Sequence, residues 1–142
     1  MEVIINYWAV LLAAIAAFVL GGLWFGPFFG KTWMKLAGIH MPHEMTKAMR
    51  SSMMRSYAVV AIFSLVMATV LAHLLFYMNI FTGVYGVDTG VTTAIWCWLG
   101  FVVPATLGSV LWEGRSWKYW FIVAGYWLVA MIIAGIILAA WR

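Results

Sequence analysis

Four stretches of this sequence run for more than 20 residues without a single Asp, Glu, Lys or Arg: residues 4–25, 57–77, 92–112 and 120–141. A helix rises 1.5 Å per residue, so about 20 apolar residues cross the roughly 30 Å hydrocarbon core of a bilayer. Hydrophobic residues make up 67% of the chain and charged residues 8%, whereas soluble domains are roughly half apolar and a quarter charged. The sequence therefore predicts an all-α integral membrane four-helix bundle, with residues 1–142 as a single membrane domain.

Positive charges are concentrated in two of the three connections between these spans. Seven of the eight Lys and Arg residues lie there: Lys31, Lys35, Lys47, Arg50, Arg55, Arg115 and Lys118. Because cytoplasmic connections are enriched in Lys and Arg, we expect a bacterial cytoplasmic (inner) membrane protein with both termini on the non-cytoplasmic side. The basic connection of residues 31–55 favours contact with anionic lipid. So few cations, all beside apolar spans, do not indicate nucleic-acid binding.

Residues 42–55 have the pattern of an amphipathic cytoplasmic helix that leads into the second span. Pro42 suits the first helical turn, and Glu44 suits the positive end of the helix dipole. A helical wheel separates a polar side from an apolar side: Lys47, Arg50, Ser51 and Arg55 against Met45, Met49 and Met53. This pattern predicts a helix that lies at the membrane surface.

Small residues recur at four-residue spacing in every span. Small side chains let helix backbones approach closely in lipid. These rows predict the contact faces of the bundle: Ala13, Ala17 and Gly21; Ser64, Ala68 and Ala72; Gly100, Pro104 and Gly108; Ala130 and Ala134. A dimer face has the same pattern, so the oligomeric state stays open. Trp98 and Trp127 lie deeper in their spans than the other tryptophans, and we expect them to face neighbouring helices.

His73 is the one His, acid or base within a span. Ionisable groups inside a membrane are commonly functional, and this imidazole can bind a haem or pigment, or relay a proton. Alternatively, a neutral imidazole about one turn from the outer end of the span reaches the headgroups, or bonds Thr69 one turn back. Because one His per chain falls short of the three or four ligands of a metal site, we predict no metal and no resident cofactor.

The tract from His40 to Met45, followed by Met49, Met53 and Met54, contains the ligand types that copper(I) uses. Methionine is also a flexible apolar filler, and its spacing here matches one helix face. We therefore interpret this tract as structural.

Pro104 in the third span removes a backbone N–H and displaces the carbonyl of Gly100. A carbonyl freed in this way can coordinate an ion in a transporter. The alternative is a plain kink whose polar groups are satisfied by a nearby Thr or by water. If several copies formed a channel, Pro104, Thr106, Ser109 and His73 would line it.

Two further candidates lie at the cytoplasmic side. Glu113 and Arg115 either bind a partner or pair with each other at a wet surface, where such pairs contribute about 0–1 kcal/mol. The run of residues 21–31, which includes Trp24 and Lys31, has glycines and a proline that end the first span. It favours an anchored turn with aromatic residues folded along the interface, or alternatively a re-entrant or lipid-headgroup site.

In this order, the motifs resemble the bacterial membrane family known as domain of unknown function 1761, over nearly the whole chain. The matching residues are Gly22, Trp24, Pro27, Phe29, Gly30, Lys31 and Trp33; Ala72-His73; Gly100 to Pro104; Glu113 and Arg115; and Gly125-Tyr126-Trp127. The resemblance implies a four-span fold and no established activity. It also implies an amide or acid where this chain has Ser109 and Ala124, and a Tyr where it has Phe25. Any polar site within the membrane would therefore have fewer polar side chains in this chain.

These observations favour a non-enzymatic accessory or structural subunit, or a homo-oligomer, that acts within the bilayer or a larger membrane complex. No carboxylate pair lies within a span, and the sequence has no His-Glu-x-x-His motif. A small oligomeric channel or transporter is the first alternative, and cofactor binding through His73 is the second.

Overall fold

The computed structural model describes residues 4–141, and the predicted all-α bundle is confirmed. The helices are α1 (Tyr7–Leu23), α2 (Gly30–Ala37), α3 (Lys47–Thr82), α4 (Val87–Cys97), α5 (Val103–Leu111) and α6 (Trp117–Ala140). A π-helical turn, Trp24–Phe28, continues α1, and a second one, Trp98–Val102, joins α4 to α5. Within the described residues, four helical stretches are long and apolar enough to cross a membrane: Tyr7–Phe28, Lys47–Thr82, Val87–Leu111 and Trp117–Ala140.

The four spans form an up-and-down bundle in which α6 makes the most contacts. α6 packs against α1 on one side and α4 on the other, and α3 closes the ring by packing against both α1 and α4. Sequence neighbours are thus neighbours in space, as short connections require. Two clusters of buried residues lie within this ring: a larger one dominated by alanines, and a smaller one of Ala17, Tyr126 and Ala130.

Three of the four predicted rows of small residues are at helix contacts. Ala13 and Ala17, then Ser64, Ala68 and Ala72, and finally Ala130 and Ala134 are all buried. The prediction for the third span is wrong, because Gly100 and Pro104 are exposed and α5 buries none of its residues. The π-helical turn inserts one extra residue, which rotates everything after it by about 100° relative to a continuous α-helix. The buried side of this span lies earlier, at Gly90, Thr93, Ala94 and Cys97.

α4 crosses α6 at close range at two glycines. A Cβ placed on Gly90 would collide with the carbonyl of Gly135, and a Cβ placed on Gly135 would collide with the carbonyl of Gly90. Both residues are buried. Only glycine permits this approach, which brings each Cα–H towards the opposite carbonyl and allows weak Cα–H···O contacts between the helices.

The amphipathic segment begins later than predicted. α3 starts at Lys47, and Met45 and Pro42 lie outside the helix. The start is set by Thr46, an N-cap residue whose hydroxyl accepts a hydrogen bond from the backbone N–H of Met49 at 3.2 Å. From there α3 continues without a break for 36 residues, roughly 54 Å of helix.

The predicted anchored turn after α1 contains a helix of its own, α2, that sequence reasoning did not identify. Gly26 has non-helical backbone angles, φ −106° and ψ −106°, and breaks the helix direction. Gly30 then begins α2, and a Cβ there would lie 2.6 Å from the carbonyl oxygen of Phe25. Gly38 ends α2 in the left-handed conformation, with φ 71°. These glycines fold the chain back against the bundle.

Candidate functional site

Both π-helical turns begin with a tryptophan that donates a hydrogen bond to α6. The indole Nε1–H of Trp24 donates to the carbonyl oxygen of Ile122 at 2.9 Å, and that of Trp98 donates to the carbonyl oxygen of Ala124 at 2.7 Å. The expectation that Trp98 faces a neighbouring helix is therefore confirmed. Since π-helical turns occur often at functional sites, this level of α6 is the first place to look for one.

Tyr126 joins the same part of α6 to α1 through a hydrogen bond. Its hydroxyl donates to the carbonyl oxygen of Ala17 at 3.1 Å, and its side chain is buried. Gly21 lies against the ring, because a Cβ built on it would be 3.2 Å from the Tyr126 hydroxyl oxygen. On α6, Gly125 gives similar room to Trp24, at 3.6 Å from its built Cβ. Glycines on both helices therefore make space for the aromatic rings.

Six aromatic side chains lie at this level, and we call them the aromatic cluster: the linked rings of Trp33, Phe25, Tyr126 and Trp127, and the ring pair of Trp24 and Phe29. Trp24 and Phe25 both pack against the buried group of Ala17, Tyr126 and Ala130. Ring centroids are 5.2 Å apart for Phe25 and Tyr126 and 5.1 Å apart for Phe25 and Trp33, in edge-to-face geometry. Such geometry stabilises a pair by about 0.5–1.5 kcal/mol beyond burial alone. The cluster connects α1, α2 and α6, so the motifs around Trp24 and Tyr126 meet in space.

A second polar contact joins α5 to α6 near the same end of the bundle. Thr106 donates its hydroxyl to the carbonyl oxygen of Val102 at 2.7 Å, and its oxygen accepts from the Nε1–H of Trp120 at 2.9 Å. The Ser109 hydroxyl donates to the carbonyl oxygen of Thr106 at 2.8 Å. A Thr near Pro104 thus bonds the backbone oxygens of Val102 and Val103.

Arg115 holds α2 to the turn that precedes α6. Its Nη1 donates to the carbonyl oxygen of Ala37, the last residue of α2, at 3.1 Å. A cation at a helix C-terminus is favoured by the helix dipole. The guanidinium carbon also lies 5.4 Å from the ring centre of Tyr119. Glu113 is exposed, and no ion pair between it and Arg115 is formed in the described part of the chain.

His73 lies apart from these contacts. Its Nδ1 is 2.8 Å from the carbonyl oxygen of Thr69, which is the local bond considered from the sequence. A carbonyl only accepts, so Nδ1 carries the proton in this hydrogen bond. At about 100° per residue, His73 falls on the side of α3 opposite its buried residues, which are Ser64, Ala68, Leu71, Ala72, Leu75 and Asn79. α3 continues to Thr82. His73 therefore lies farther from the C-terminal end of its helix than the one turn predicted from the sequence.

The structure therefore brings only some of the predicted site residues together. Trp24 and Tyr126 share the aromatic cluster, whereas Lys31 is exposed on α2 and Pro104 is exposed on α5. Trp98 and Trp120 were not predicted as site residues, and Thr106 was named only as a pore-lining residue of the channel alternative. A signal for Thr106 existed, since a hydroxyl two residues after an intramembrane proline commonly satisfies freed carbonyls.

The chemistry of this region is that of packing and hydrogen bonding. The polar atoms named above are used within the bundle, between neighbouring helices or within a helix turn. Among residues 4–141, no group of three or more His, Cys, Asp or Glu side chains is placed to hold a metal ion.

Comparison with known proteins agrees with the resemblance seen in the sequence. No curated protein and no solved structure matches this chain. A family match covers residues 8–139, which include the aromatic cluster, both π-helical turns and the glycine crossing. By that match the chain belongs to the family described as "Protein of unknown function (DUF1761)".

Proposed function

We propose that this protein is a non-enzymatic membrane subunit that acts by associating, through one side of its bundle, with further copies of itself or with a larger membrane complex. The observation that carries this proposal is the incomplete packing of α3 and α5. No residue of α3 before Ser64 is buried, and α5 buries none. The first 17 residues of α3 thus extend roughly 25 Å without tight packing inside the protein.

The exposed residues of the third span support association better than contact with lipid alone. Gly100, Pro104 and Ala105 are exposed, although small residues in membrane helices are enriched where helices meet. On α3 the exposed residues include bulky ones such as Phe63, which is 62% exposed. Bulky side chains on one helix and a small-residue surface on another provide the complementary shapes of a contact between copies.

Cysteine cross-linking in native membranes tests this association. In a Cys97→Ala background, Phe63→Cys on α3 and Ala105→Cys on α5 should each give a cross-linked dimer or a defined adduct with another protein. Phe121→Cys is the matched control, because Phe121 is 64% exposed but lies on α6. It should give at least fivefold less product. Equal cross-linking at all three positions would show random collision and contradict the proposal.

A liposome flux assay distinguishes a subunit that transports nothing from the channel alternative. Liposomes that contain only this protein should leak ions and small solutes no faster than protein-free liposomes, because the polar atoms of Thr106, Ser109 and His73 bond within the chain. A solute-permeable pore in such liposomes would remove the proposal in favour of an oligomeric channel.

We also infer a cytoplasmic (inner) membrane location, with α2 and the α5–α6 turn in the cytoplasm beside anionic lipid. The support is the excess of Lys and Arg at this end, together with the Arg115–Ala37 contact that joins the two connections. With a membrane-impermeant maleimide on intact cells, Asp88→Cys should label and Lys47→Cys should label only after lysis. Labelling of both before lysis would contradict this orientation.

A further inference from the structure

A cavity opens between the helix ends at the face of the bundle opposite α2. Its volume is about 320 Å³, and its walls come from the start of α1, the last turns of α3 and the end of α6. Volumes of about 300–1,000 Å³ are typical of small-molecule sites. The aromatic cluster and the proposed association surface lie elsewhere, so this cavity is independent of both.

Asn79 places an unsatisfied carboxamide in the wall of this cavity. The residue is 7% exposed, and its Oδ1 has no hydrogen-bond partner among the described residues. Its backbone carbonyl separately accepts the N–H of Gly83 at 2.9 Å, so the side chain is not needed to end α3. A buried amide oxygen without a partner is unfavourable and rare in native proteins. Oδ1 itself has almost no accessible surface, so a ligand in the cavity that donates a hydrogen bond would satisfy it once the carboxamide turns towards the cavity.

Tyr85 and Trp141 also line this wall, and its second asparagine is already engaged. Asn6 Oδ1 accepts the backbone N–H groups of Trp8 and Ala9, which caps the start of α1. Most of the remaining wall is apolar, with Leu75, Phe76 and Leu138 among its residues. None of the described lining residues carries a charge. The site therefore suits a neutral molecule with an apolar body and one donor group.

We propose that this cavity binds a neutral amphiphile whose hydroxyl donates to Asn79 Oδ1 while its apolar body lies along α3 and α6. Two kinds of membrane molecule have this chemistry: a neutral lipid with a free hydroxyl, such as a diacylglycerol, and a lipophilic phenol or quinol. Both are dissolved in membranes, and the cavity walls come from the ends of apolar helices.

Photolabelling of the full-length protein in nanodiscs with a diazirine-bearing hexadecanol tests this site. Labelling should saturate, map to the ends of α3 and α6, and be displaced by unlabelled hexadecanol much better than by hexadecane. Asn79→Leu should weaken alcohol binding about two- to tenfold, the effect of one lost neutral hydrogen bond. Thr69→Val is the matched control on α3, since Thr69 does not line the cavity, and it should bind like the native protein.

Thermal unfolding without ligand provides a second measurement, in which the same substitution should stabilise the protein although it weakens ligand binding. Asn79→Leu should raise the midpoint temperature, because it removes a buried amide that has no partner, whereas an Asn with a purely structural role would lower it on replacement. Ile80→Trp, at an exposed lining position, should narrow the cavity and reduce labelling by a second route. Labelling that does not saturate, or that is equal in the native protein and in Asn79→Leu, would overturn the proposal.

Mass spectrometry of molecules extracted from protein purified out of native membranes distinguishes the two sources. Enrichment of a hydroxyl lipid or of a phenol or quinol over Asn79→Leu supports the site and identifies its ligand class. Identical extracts from the two proteins contradict it.

Discussion

Replacement of Gly90 by alanine is expected to lower the free energy of unfolding by about 1–3 kcal/mol, the usual range for an overpacked contact. The added Cβ would collide with the carbonyl of Gly135. A backbone carbonyl cannot turn aside as the end of a flexible side chain can, so α4 and α6 must move apart. The loss can be measured by unfolding the micelle-bound protein with increasing SDS and following tryptophan fluorescence.

Gly100→Ala is the matched control, because it adds the same methyl group to the same span. No heavy atom lies within 4 Å of a Cβ built on Gly100, and alanine favours a helix over glycine by up to about 1 kcal/mol. This variant should be neutral or slightly more stable. Equal losses for Gly90→Ala and Gly100→Ala would show that the glycine crossing is not a tight contact.

Removal of the Trp120 side chain is expected to have the largest effect of any single truncation, about 3–5 kcal/mol for Trp120→Ala. Trp120 is 7% exposed, and its ring centroid is 5.1 Å from that of Phe121. Trp120→Phe keeps most of this burial and loses the hydrogen bond to Thr106. Its cost should be near 0.6 kcal/mol and at most about 1.7 kcal/mol, as for other hydrogen bonds between membrane helices.

A double-mutant cycle isolates this hydrogen bond. Trp120→Phe and Thr106→Val each remove it, so the double variant should lose less stability than the sum of the two single variants. Thr106→Ser keeps the hydroxyl and should show nearly native stability. Strict additivity in the same SDS unfolding assay would mean that the indole and the hydroxyl do not interact.

The local character of each span could be predicted because it depends on composition and spacing. The uncharged stretches, the alanine rows of α1, α3 and α6, and the His73–Thr69 bond all follow from residues within about one helix turn of each other. The contact face predicted from Gly100 to Gly108 was wrong for a local reason too, since nothing in the spacing of these residues indicated a π-helical turn. The amphipathic helix was predicted to begin at residue 42, which is too early, because Thr46 was not recognised as the N-cap of α3.

The candidate site depends on contacts between distant residues. Trp24 and Tyr126 appeared in the sequence as separate motifs, and only the packing of α1 against α6 places them in one aromatic cluster. Trp98 was predicted to lie deep in its span, but depth does not specify which carbonyl an indole N–H meets. Asn79 drew no prediction, because an amide near a helix end is ordinary until its surroundings are known.

The sequence by itself determined that this chain has four stretches long and apolar enough to cross a membrane as helices, and that one end carries most of its positive charge. Those properties follow from the transfer of side chains and backbone into hydrocarbon, which depends on each residue and its near neighbours. The tertiary structure alone decided which glycines touch, which carbonyls accept the indole donors, and which amide is left without a partner. Each of these depends on the relative rotation and approach of two helices, and one extra residue in a turn changes them all.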